Sequence, residues 1–345
     1  MDFYGTLGPA CQEEGVLYQM FQEGMTGLRL NLSHKPLAAC GDWIAQMHLA
    51  AKKTGIQAQL LIDLQGPELR VGQFGEPLLL EEGQLWSAAQ LKLPESVVPY
   101  LTEGQPLLLD DGKLLAKAVS MECEVSGGEQ KGTAESKYGK TELMDASMLQ
   151  IVRGGCLASR KSIALPGVTV PSPTLTQADL DNLQVAAQYG VTGVMLPFVR
   201  SAQDLITLRE ALQAAGAPHI RIYAKLESME GVGMLEELLP YTDEVVIARG
   251  DLGNCMDLWH LPAVQKKVAA VCRRAGKPFM VVTQMLASME HMAVPTRAEV
   301  SDIFNAVLDG ASSVMVTGET AVGEYPVEVM KYLVKTSQEA LAYQE

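Results

Sequence analysis

Residues 193–226, GVMLPFVRSAQDLITLREALQAAGAPHIRIYAKL, carry the pattern that decides the fold. An apolar run opens the stretch, and from Ala202 its leucines recur at three- and four-residue spacing, which is typical of an amphipathic helix. A second apolar run, 220–226, closes it. The alternation predicts a strand, a crossover helix and a second, parallel strand.

The same unit recurs along the chain. The predicted strands are Phe3–Leu7, Gly27–Leu32, Ala58–Asp63, Gly193–Phe198, Ile220–Leu226, Glu244–Ala248, Phe279–Thr283 and Ser313–Thr317. The predicted helices are Glu13–Glu23, Leu37–Thr54, Gln177–Tyr189, Ala202–Ala215, Met229–Leu239, Leu261–Ala275, Arg297–Leu308 and Val327–Ala342. Left-handed C-caps are predicted at Gly24, Gly55, Gly190, Gly216, Gly276 and Gly310. Successive units of this kind predict the α/β class and a (β/α)8 TIM barrel.

The third unit is interrupted by a long insertion. Between Asp63 and the helix at Gln177, short apolar runs and glycine turns replace the helical period. We therefore expect a barrel built from residues 1–70 and 167–345, with an inserted small β-domain after the third strand. This insert, 71–166, is expected to act as a lid.

Composition limits the classes of function. The chain has 345 residues, of which 48% are hydrophobic and 20% charged, and this is ordinary for a globular protein. Its formal net charge of −14 argues against a general binder of nucleic acid or of an anionic membrane. An anionic substrate still fits if the few cations converge in one cleft.

Location is predicted to be cytoplasmic. No apolar run approaches the roughly 18–20 residues of a membrane span, and the amino terminus has no pattern of a signal peptide. Scattered cysteines favour reduced thiols over disulfides or a zinc site; they are Cys11, Cys40, Cys123, Cys156, Cys255 and Cys272.

Polar residues follow nearly every predicted strand, and catalytic groups of such barrels gather at this end. Lys225 and Glu227 stand two positions apart on one strand and so face the same side. Glu227 and Asp251 could share a Mg²⁺ ion, which takes one or two carboxylates and leaves sites for substrate oxygens. The alternative is a Lys–Glu pair without a metal.

Several cations are candidate phosphate ligands, since arginine offers a planar fork and lysine a point charge to phosphate oxygens. They are Arg29, Arg70, Lys161 and Lys225. Taken individually, Lys161 suits a solvated surface role better than a role as a phosphate ligand. The turn at 249–253 has two glycines that let backbone N–H groups approach an anion. The dinucleotide and Walker motifs are absent from the sequence.

Nine sequence blocks occur in one order: RLNLSH, IDLQGPELR, IALPGVTVPSPTLT, KLESMEGV, ARGDLG, AGKP with TQMLASM, PTRAEVSD, NAVLDGASSVM and TGETAVGEYPVE. They resemble the pyruvate kinase family from Gly5 to Glu339. The resemblance implies a barrel with an inserted lid. It also implies phosphoryl transfer from phosphoenolpyruvate to ADP, giving pyruvate and ATP, with Mg²⁺ (or Mn²⁺) and often K⁺. The family's usual C-terminal domain is expected to be absent.

The resemblance also assigns roles to residues. Lys225 is similar to the lysine that stabilises the transferring phosphoryl group, and Thr283 to the threonine near the substrate and the proton path. The resemblance implies that Arg29 and Arg70 contact phosphoryl groups. It also implies that Glu227 and Asp251 are the ligands of the divalent metal. The substrate carboxylate is assigned to Ala248, Arg249 and Gly250. Monovalent-cation ligands are Asn31, Ser33 and Asp63, with Glu68 linked to K⁺ dependence. Nucleotide-side positions are Thr6, Pro9, His34 and Lys161.

Departures from the family pattern leave alternatives open. They are Lys35, Leu64, Gln65, Ala164 and Pro197. The change at Leu64 weakens the K⁺ assignment, whereas the central catalytic set is intact, so we expect activity. The alternatives are a Mg²⁺-dependent pyruvate or enolate lyase or aldolase, and a catalytically weak regulatory homologue. A homo-oligomer formed through the barrel is a possible assembly.

Overall fold

The computed structural model describes residues 1–110, 112–119, 144, 147–168 and 170–344. The chain forms two compact units. The first consists of Met1–Pro67, Pro173–Gly253 and Leu258–Glu345, and the second of Glu68–Ser172 and Asn254–Asp257.

Parallel strands close into a barrel in the first unit, in the order β1, β2, β3, β4, β5, β6, β7, β8 and back to β1. These strands are β1 (Asp2–Thr6), β2 (Gly27–Asn31), β3 (Gln59–Asp63), β4 (Gly193–Leu196), β5 (Arg221–Leu226), β6 (Glu244–Ala248), β7 (Phe279–Val282) and β8 (Ser313–Met315). The ring closes where Phe3 of β1 pairs with Val314 of β8. The prediction of a TIM barrel is confirmed.

Helices follow the strands. They are α1 (Glu14–Gln22), α2 (Gly41–Thr54), α3 (Gln177–Ala186), α4 (Ala202–Ala214), α5 (Met229–Gly233), α6 (Leu235–Leu238), α7 (Arg249–Asn254), α8 (Leu261–Arg274), α9 (Arg297–Leu308), α10 (Gly318–Ala321) and α11 (Pro326–Gln344). Short 3-10 turns lie at Leu37–Cys40, Leu239–Tyr241, Leu258–His260 and Ala287–Glu290. All six glycines predicted as left-handed C-caps have positive φ.

Two predicted helices are not continuous. The segment predicted as Leu37–Thr54 begins with a 3-10 turn before α2 starts at Gly41. The segment predicted as Met229–Leu239 divides into α5 and α6, because Met234 leaves the helical region with φ −92° and ψ 3°. Two glycines in α5 lower the free energy that this break costs, since glycine is a poor helix former.

Apolar side chains fill the interior of the barrel. Its strands are covered on both faces, which explains why they read as nearly continuous apolar runs and not as alternating ones. The interior cluster comprises Tyr4, Leu61, Met195, Tyr223, Val246, Ala248, Met280, Val282 and Met315. This packed core leaves the polar residues to the two ends of the strands.

A buried carboxylate stands at the amino ends of the strands. Glu244, the first residue of β6, accepts hydrogen bonds from the hydroxyls of Ser312 and Ser313 and lies 3.3 Å from the Arg221 guanidinium. Burial raises the pKa of Glu244, and these three partners offset that effect only in part. Folding therefore raises the pKa of Glu244 above its ordinary value.

We predict that Glu244→Gln gains stability relative to the wild type as pH rises above about 4.3, the ordinary pKa of Glu. Since the folded pKa is raised, the wild type loses stability as pH rises through that window, whereas the neutral amide does not titrate. Urea unfolding of both proteins at several pH values measures the difference. A difference that is constant with pH would contradict the assignment.

The second unit is built from short antiparallel strands. Its five-stranded sheet has the order Ile163–Ala164, Pro106–Leu109, Leu114–Val119, Met148–Arg153, Leu85–Ser87, and Leu78–Leu80 pairs with Gly155–Leu157. A 3-10 turn lies at Val98–Tyr100. The unit has its own core, which includes the fully buried Leu91, Leu107, Ala116, Leu149 and Leu157. It can therefore be described as a separate body.

No helix in the described part of the chain is both long and apolar enough to cross a membrane. Among the described cysteines, Cys11, Cys40 and Cys272 are buried, Cys255 is half-buried and Cys156 is exposed. All five are free thiols. Cys123 lies outside the described residues.

Candidate active site

The ammonium group of Lys225 is the centre of a buried charge cluster at the carboxyl ends of the strands. Its Nζ lies 2.7 Å from Oε1 of Glu227 and 3.2 Å from both carboxylate oxygens of Asp63. Burial acts to lower the pKa of Lys225, but the Asp63 and Glu227 carboxylates outweigh burial and raise that pKa above its usual value. Lys225 is therefore charged at neutral pH.

Asp63 joins this lysine to a second cation. The guanidinium of Arg29, on β2, lies 2.7 Å from Oδ2 of Asp63 and donates a second hydrogen bond to the same oxygen through Nε. Burial alone would raise the pKa of Asp63, but Lys225 and Arg29 more than reverse this and lower it. One carboxylate from β3 thus holds cations from β2 and β5.

The carboxylate of Glu227 is fixed from two directions. Besides the contact with Lys225, its Oε2 accepts a hydrogen bond of 2.8 Å from the backbone N–H of Phe198. Phe198 has a φ of 52°, which is rare for a bulky residue. Glu227 therefore joins the chain beyond β4 to the chain beyond β5.

The residues present fit a magnesium ion. Asp251 lies in α7, directly after β6, and its carboxylate contributes to the raised pKa of Lys225. Asp251 and Glu227 therefore act on the same ammonium group. The described residues contain no cluster of three or more His, Cys, Asp or Glu side chains suited to a metal. A pair of carboxylates is the donor set that Mg²⁺ takes when substrate oxygens and water complete its shell.

The side chain of Arg249 braces the neighbouring strand end. Its Nη2 and Nε donate to the carbonyl oxygen of Thr283 at 2.8 and 3.2 Å, and its Nη1 lies 2.7 Å from a carboxylate oxygen of Asp302. Thr283 has a φ of 81° and Gln284 one of 55°, so two successive residues are strained. The donors of Arg249, which the resemblance assigned to substrate, are used here within the protein.

The predicted monovalent-cation ligands lie at the ends of β2 and β3 and fit a K⁺ ion only in part. Oδ1 of Asn31 accepts from the backbone N–H of Ser33 at 3.0 Å, and both oxygens of Asp63 already face cations.

Among the nucleotide-side residues, Thr6 is buried at the end of β1, whereas Pro9 and His34 are exposed in the turns after β1 and β2. Oγ1 of Thr6 lies 3.4 Å from NH1 of Arg29.

The remaining predicted residues lie in the second unit. Nη2 and Nε of Arg70 lie 2.5 and 2.9 Å from Oε2 of Glu68, and Nη1 donates to the carbonyl oxygen of Arg160. The Nζ of Lys161 lies 2.8 Å from Oδ1 of Asp110. Burial favours a raised pKa for Asp110, yet Lys161 brings it below the usual value. Arg70 and Lys161 are thus held by carboxylates of their own unit.

Reasoning from the sequence missed three residues. Asp302 braces Arg249, Glu319 accepts backbone hydrogen bonds from Leu286 and Thr317, and Asp179 accepts from the loop after β3. Asp302 and Glu319 lie inside the blocks PTRAEVSD and TGETAVGEYPVE, so a signal for them existed. The contacts of Asp302 with Arg249 and of Glu319 with Leu286 join residues that are distant in the sequence, and no spacing rule identifies them.

The fold and the site place the chain among the TIM barrels that have a lysine–carboxylate cluster at the carboxyl ends of their strands. The chain belongs to the pyruvate kinase family, because the family model "Pyruvate kinase, barrel domain" matches residues 2–330.

Curated relatives agree with this family. The chain is 35% identical over 331 residues to the pyruvate kinase of Geobacillus stearothermophilus, covering 94% of this chain and 54% of the relative. It is 32% identical to that of Chlamydia pneumoniae over 339 residues, covering 95% and 66%. For Bacillus licheniformis the identity is 33% over 348 residues, covering 99% and 57%. The chain thus spans about half to two thirds of the length of these relatives.

We predict that Asp63→Asn destabilises the first unit by about 3–5 kcal/mol, because it leaves the Arg29 side chain, which is only 12% exposed, without its carboxylate. Since the pKa of Asp63 is lowered by folding, its contribution is present above about pH 3.9 and is lost as pH falls through the folded pKa. Urea unfolding at neutral pH measures the loss.

The exposed pair of Lys53 and Glu14, 2.8 Å apart, provides the matched control. Glu14→Gln should cost less than about 1 kcal/mol, as exposed ion pairs usually do. Equal losses in Asp63→Asn and Glu14→Gln would show that the buried cluster contributes no more than a surface pair.

Proposed function

We propose that the chain catalyses transfer of the phosphoryl group of phosphoenolpyruvate to ADP, giving pyruvate and ATP in glycolysis. The observation that carries the proposal is the Lys225 ammonium, held between Asp63 and Glu227 beside Arg29. Membership of the pyruvate kinase family supports it. A cytoplasmic location and assembly through the barrel stay predictions.

The chemistry requires little covalent participation by the protein. The bond between phosphorus and the enol oxygen breaks, and a bond to a terminal oxygen of ADP forms. Charge on the three equatorial phosphoryl oxygens must be neutralised and the reactants aligned. Lys225 and Arg29 suit this task because both cations are held in place before substrate arrives.

Two bound ions belong to this proposal. Glu227 and Asp251 would hold Mg²⁺ or Mn²⁺, which when bound supplies positive charge to the phosphoryl and carboxylate oxygens of the substrate. Asn31, Ser33 and Asp63 are the proposed ligands of K⁺. In both sites the protein's contribution is to present oxygen ligands.

Loss of the phosphoryl group leaves an enolate that takes a proton at carbon. We assign Thr283 to position the water that delivers this proton, because a hydroxyl of threonine is too weak an acid to act alone. Its strained backbone, held by the two hydrogen bonds from Arg249, restricts where the hydroxyl can point. The backbone of Ala248, Arg249 and Gly250 is proposed to bind the substrate carboxylate.

The inserted unit is proposed to act as a lid. Closure would exclude water, which would otherwise accept the phosphoryl group. Arg70 would contact the phosphoryl group and Lys161 the nucleotide, while Thr6, Pro9 and His34 would line the nucleotide side of the barrel. The present partners of Arg70 and Lys161, Glu68 and Asp110, would then exchange for phosphate oxygens.

A lactate-dehydrogenase-coupled assay with phosphoenolpyruvate, ADP, Mg²⁺ and K⁺ tests the proposal, and pyruvate that forms only with ADP is the expected result. Pyruvate released from a longer oxo-acid without ADP would instead identify a lyase. No pyruvate under any cation would identify a regulatory homologue.

We predict that Lys225→Met lowers kcat by at least about 10²- to 10³-fold, because a fixed charge that stabilises the transition state is lost. Phosphoenolpyruvate should still bind, as measured by calorimetry. Lys53→Met removes an exposed lysine that pairs with Glu14, and it should retain wild-type turnover. Turnover at the wild-type rate in Lys225→Met would remove the role assigned to this lysine.

A further inference from the structure

The two segments of the first unit that lead to and from the inserted unit converge on one buried carboxylate. The outgoing segment is residues 64–67, directly after β3, and the returning segment is residues 173–176, directly before α3. Asp179 lies in the first turn of α3 and has no solvent-exposed surface.

Asp179 makes hydrogen bonds to both segments. Its Oδ1 accepts from the backbone N–H groups of Gln65 and Gly66 at 3.0 and 3.3 Å. Its Oδ2 accepts from the backbone N–H and the hydroxyl of Thr176 at 2.9 and 2.7 Å. Four donors therefore satisfy one carboxylate.

This arrangement exceeds what a helix cap requires. Thr176 and Asp179 form a reciprocal capping box at the start of α3, and that motif uses a single carboxylate oxygen. The second oxygen is free to bind the loop after β3, more than 100 residues away in the sequence. The cap thus serves also as an anchor.

The capping box of the next helix also binds the returning segment. Asp204 occupies the same position in the capping box of α4 with Ser201, and its Oδ1 accepts a 2.5 Å hydrogen bond from the hydroxyl of Thr174. Burial acts to raise the pKa of Asp204, but the hydrogen bonds from Thr174 and the neighbouring backbone lower it. Two successive caps therefore hold residues 173–176.

Steric restraint completes the anchor on the outgoing segment. Gly66 has a φ of +59°, and a Cβ atom at this position would lie 2.6 Å from Cγ of Pro197. The loop is thus confined between Pro197 on one side and Asp179 on the other. Leaving this position requires loss of two hydrogen bonds to a charged group.

We propose that Asp179 is a positioning residue that holds both connections of the inserted unit, and so sets the course of residues 64–67, directly after Asp63. Its effect on catalysis rests on the proposed function, because Asp63 acts in that reaction. Asp179 itself does not contact substrate.

Hydrogen exchange of the full chain, followed by mass spectrometry, tests the anchor directly. In Asp179→Ala, exchange in residues 64–67 should rise about tenfold or more, because two charge-assisted hydrogen bonds are lost. Thr176→Ala is the matched control: it damages the same helix cap but leaves the bonds to Gln65 and Gly66. Exchange there should stay within about twofold of wild type. Equal protection of 64–67 in both variants would overturn the proposal.

Asp179→Asn covers the case in which Asp179→Ala does not fold. An amide has one acceptor oxygen and a donor in place of the other, so either segment 64–67 or segment 173–176 must lose its bonds. Faster exchange in one of them is the expected result. Wild-type protection in both would overturn the proposal.

Kinetics separate positioning from stability. In the coupled assay, Asp179→Ala should lower kcat about 10- to 100-fold with a smaller change in KM for phosphoenolpyruvate, since misplaced groups act mainly in the transition state. Thr176→Ala should keep both constants within about twofold. Equal kcat in the two variants would overturn the role in catalysis. A wild type that makes no pyruvate would refute the proposed function while the exchange result still stands.

Discussion

The candidate site depends on the charge of Asp63, which is buried between two cations. Its oxygens face Lys225 on β5 and Arg29 on β2, so three strands meet at one ionised group. A lone charge in a protein interior is costly, and the ionised Asp63 offsets that cost for Arg29 and, together with Glu227, for Lys225. The barrel thus holds two cations in fixed positions at its rim, which is the arrangement that the proposed phosphoryl transfer would use.

Hydrogen bonds between neighbouring loops keep this rim in order. Thr320 exchanges hydrogen bonds with the backbone of Thr6, across the closure from β8 to β1. The carboxylate of Glu227 accepts a hydrogen bond from the backbone beyond β4, and the guanidinium of Arg249 donates one to the backbone beyond β7. Because each side chain ends on backbone of another loop, the loops support one another and the charged groups are preorganised. The strain at Phe198 and Thr283 is offset by these same bonds.

The sequence predicted the barrel well because its signals are local. Apolar runs, helical periods and terminal glycines each depend on residues within a few positions, and all eight strands were found within a few residues of their observed limits. The break at Met234 was missed because it depends on local backbone angles that the apolar period does not report.

The roles assigned to the site residues stay predictions, and the sequence indicated only some of the contacts among these residues. Lys225 and Glu227 share a strand, so spacing alone placed them together. Other contacts join residues that are distant in the sequence, and they form only when the barrel closes. They are the hydrogen bonds of Lys225 with Asp63, of Arg249 with Asp302, and of Gln65 with Asp179. The contacts of the Arg249 side chain with Thr283 and Asp302 are likewise long-range, and no local pattern in the sequence indicates them.

The affinity of the chain for Mn²⁺ tests the proposed site most directly, and it is measured by electron paramagnetic resonance in the presence of oxalate as a mimic of enolpyruvate. We expect one bound Mn²⁺ per chain, with an affinity at least about tenfold weaker in Asp251→Ala, since a charged ligand is lost. The exposed Asp42 provides the control, and Asp42→Ala should bind like the wild type. Equal Mn²⁺ affinity in Asp251→Ala and the wild type would show that Asp251 is not a ligand of the ion.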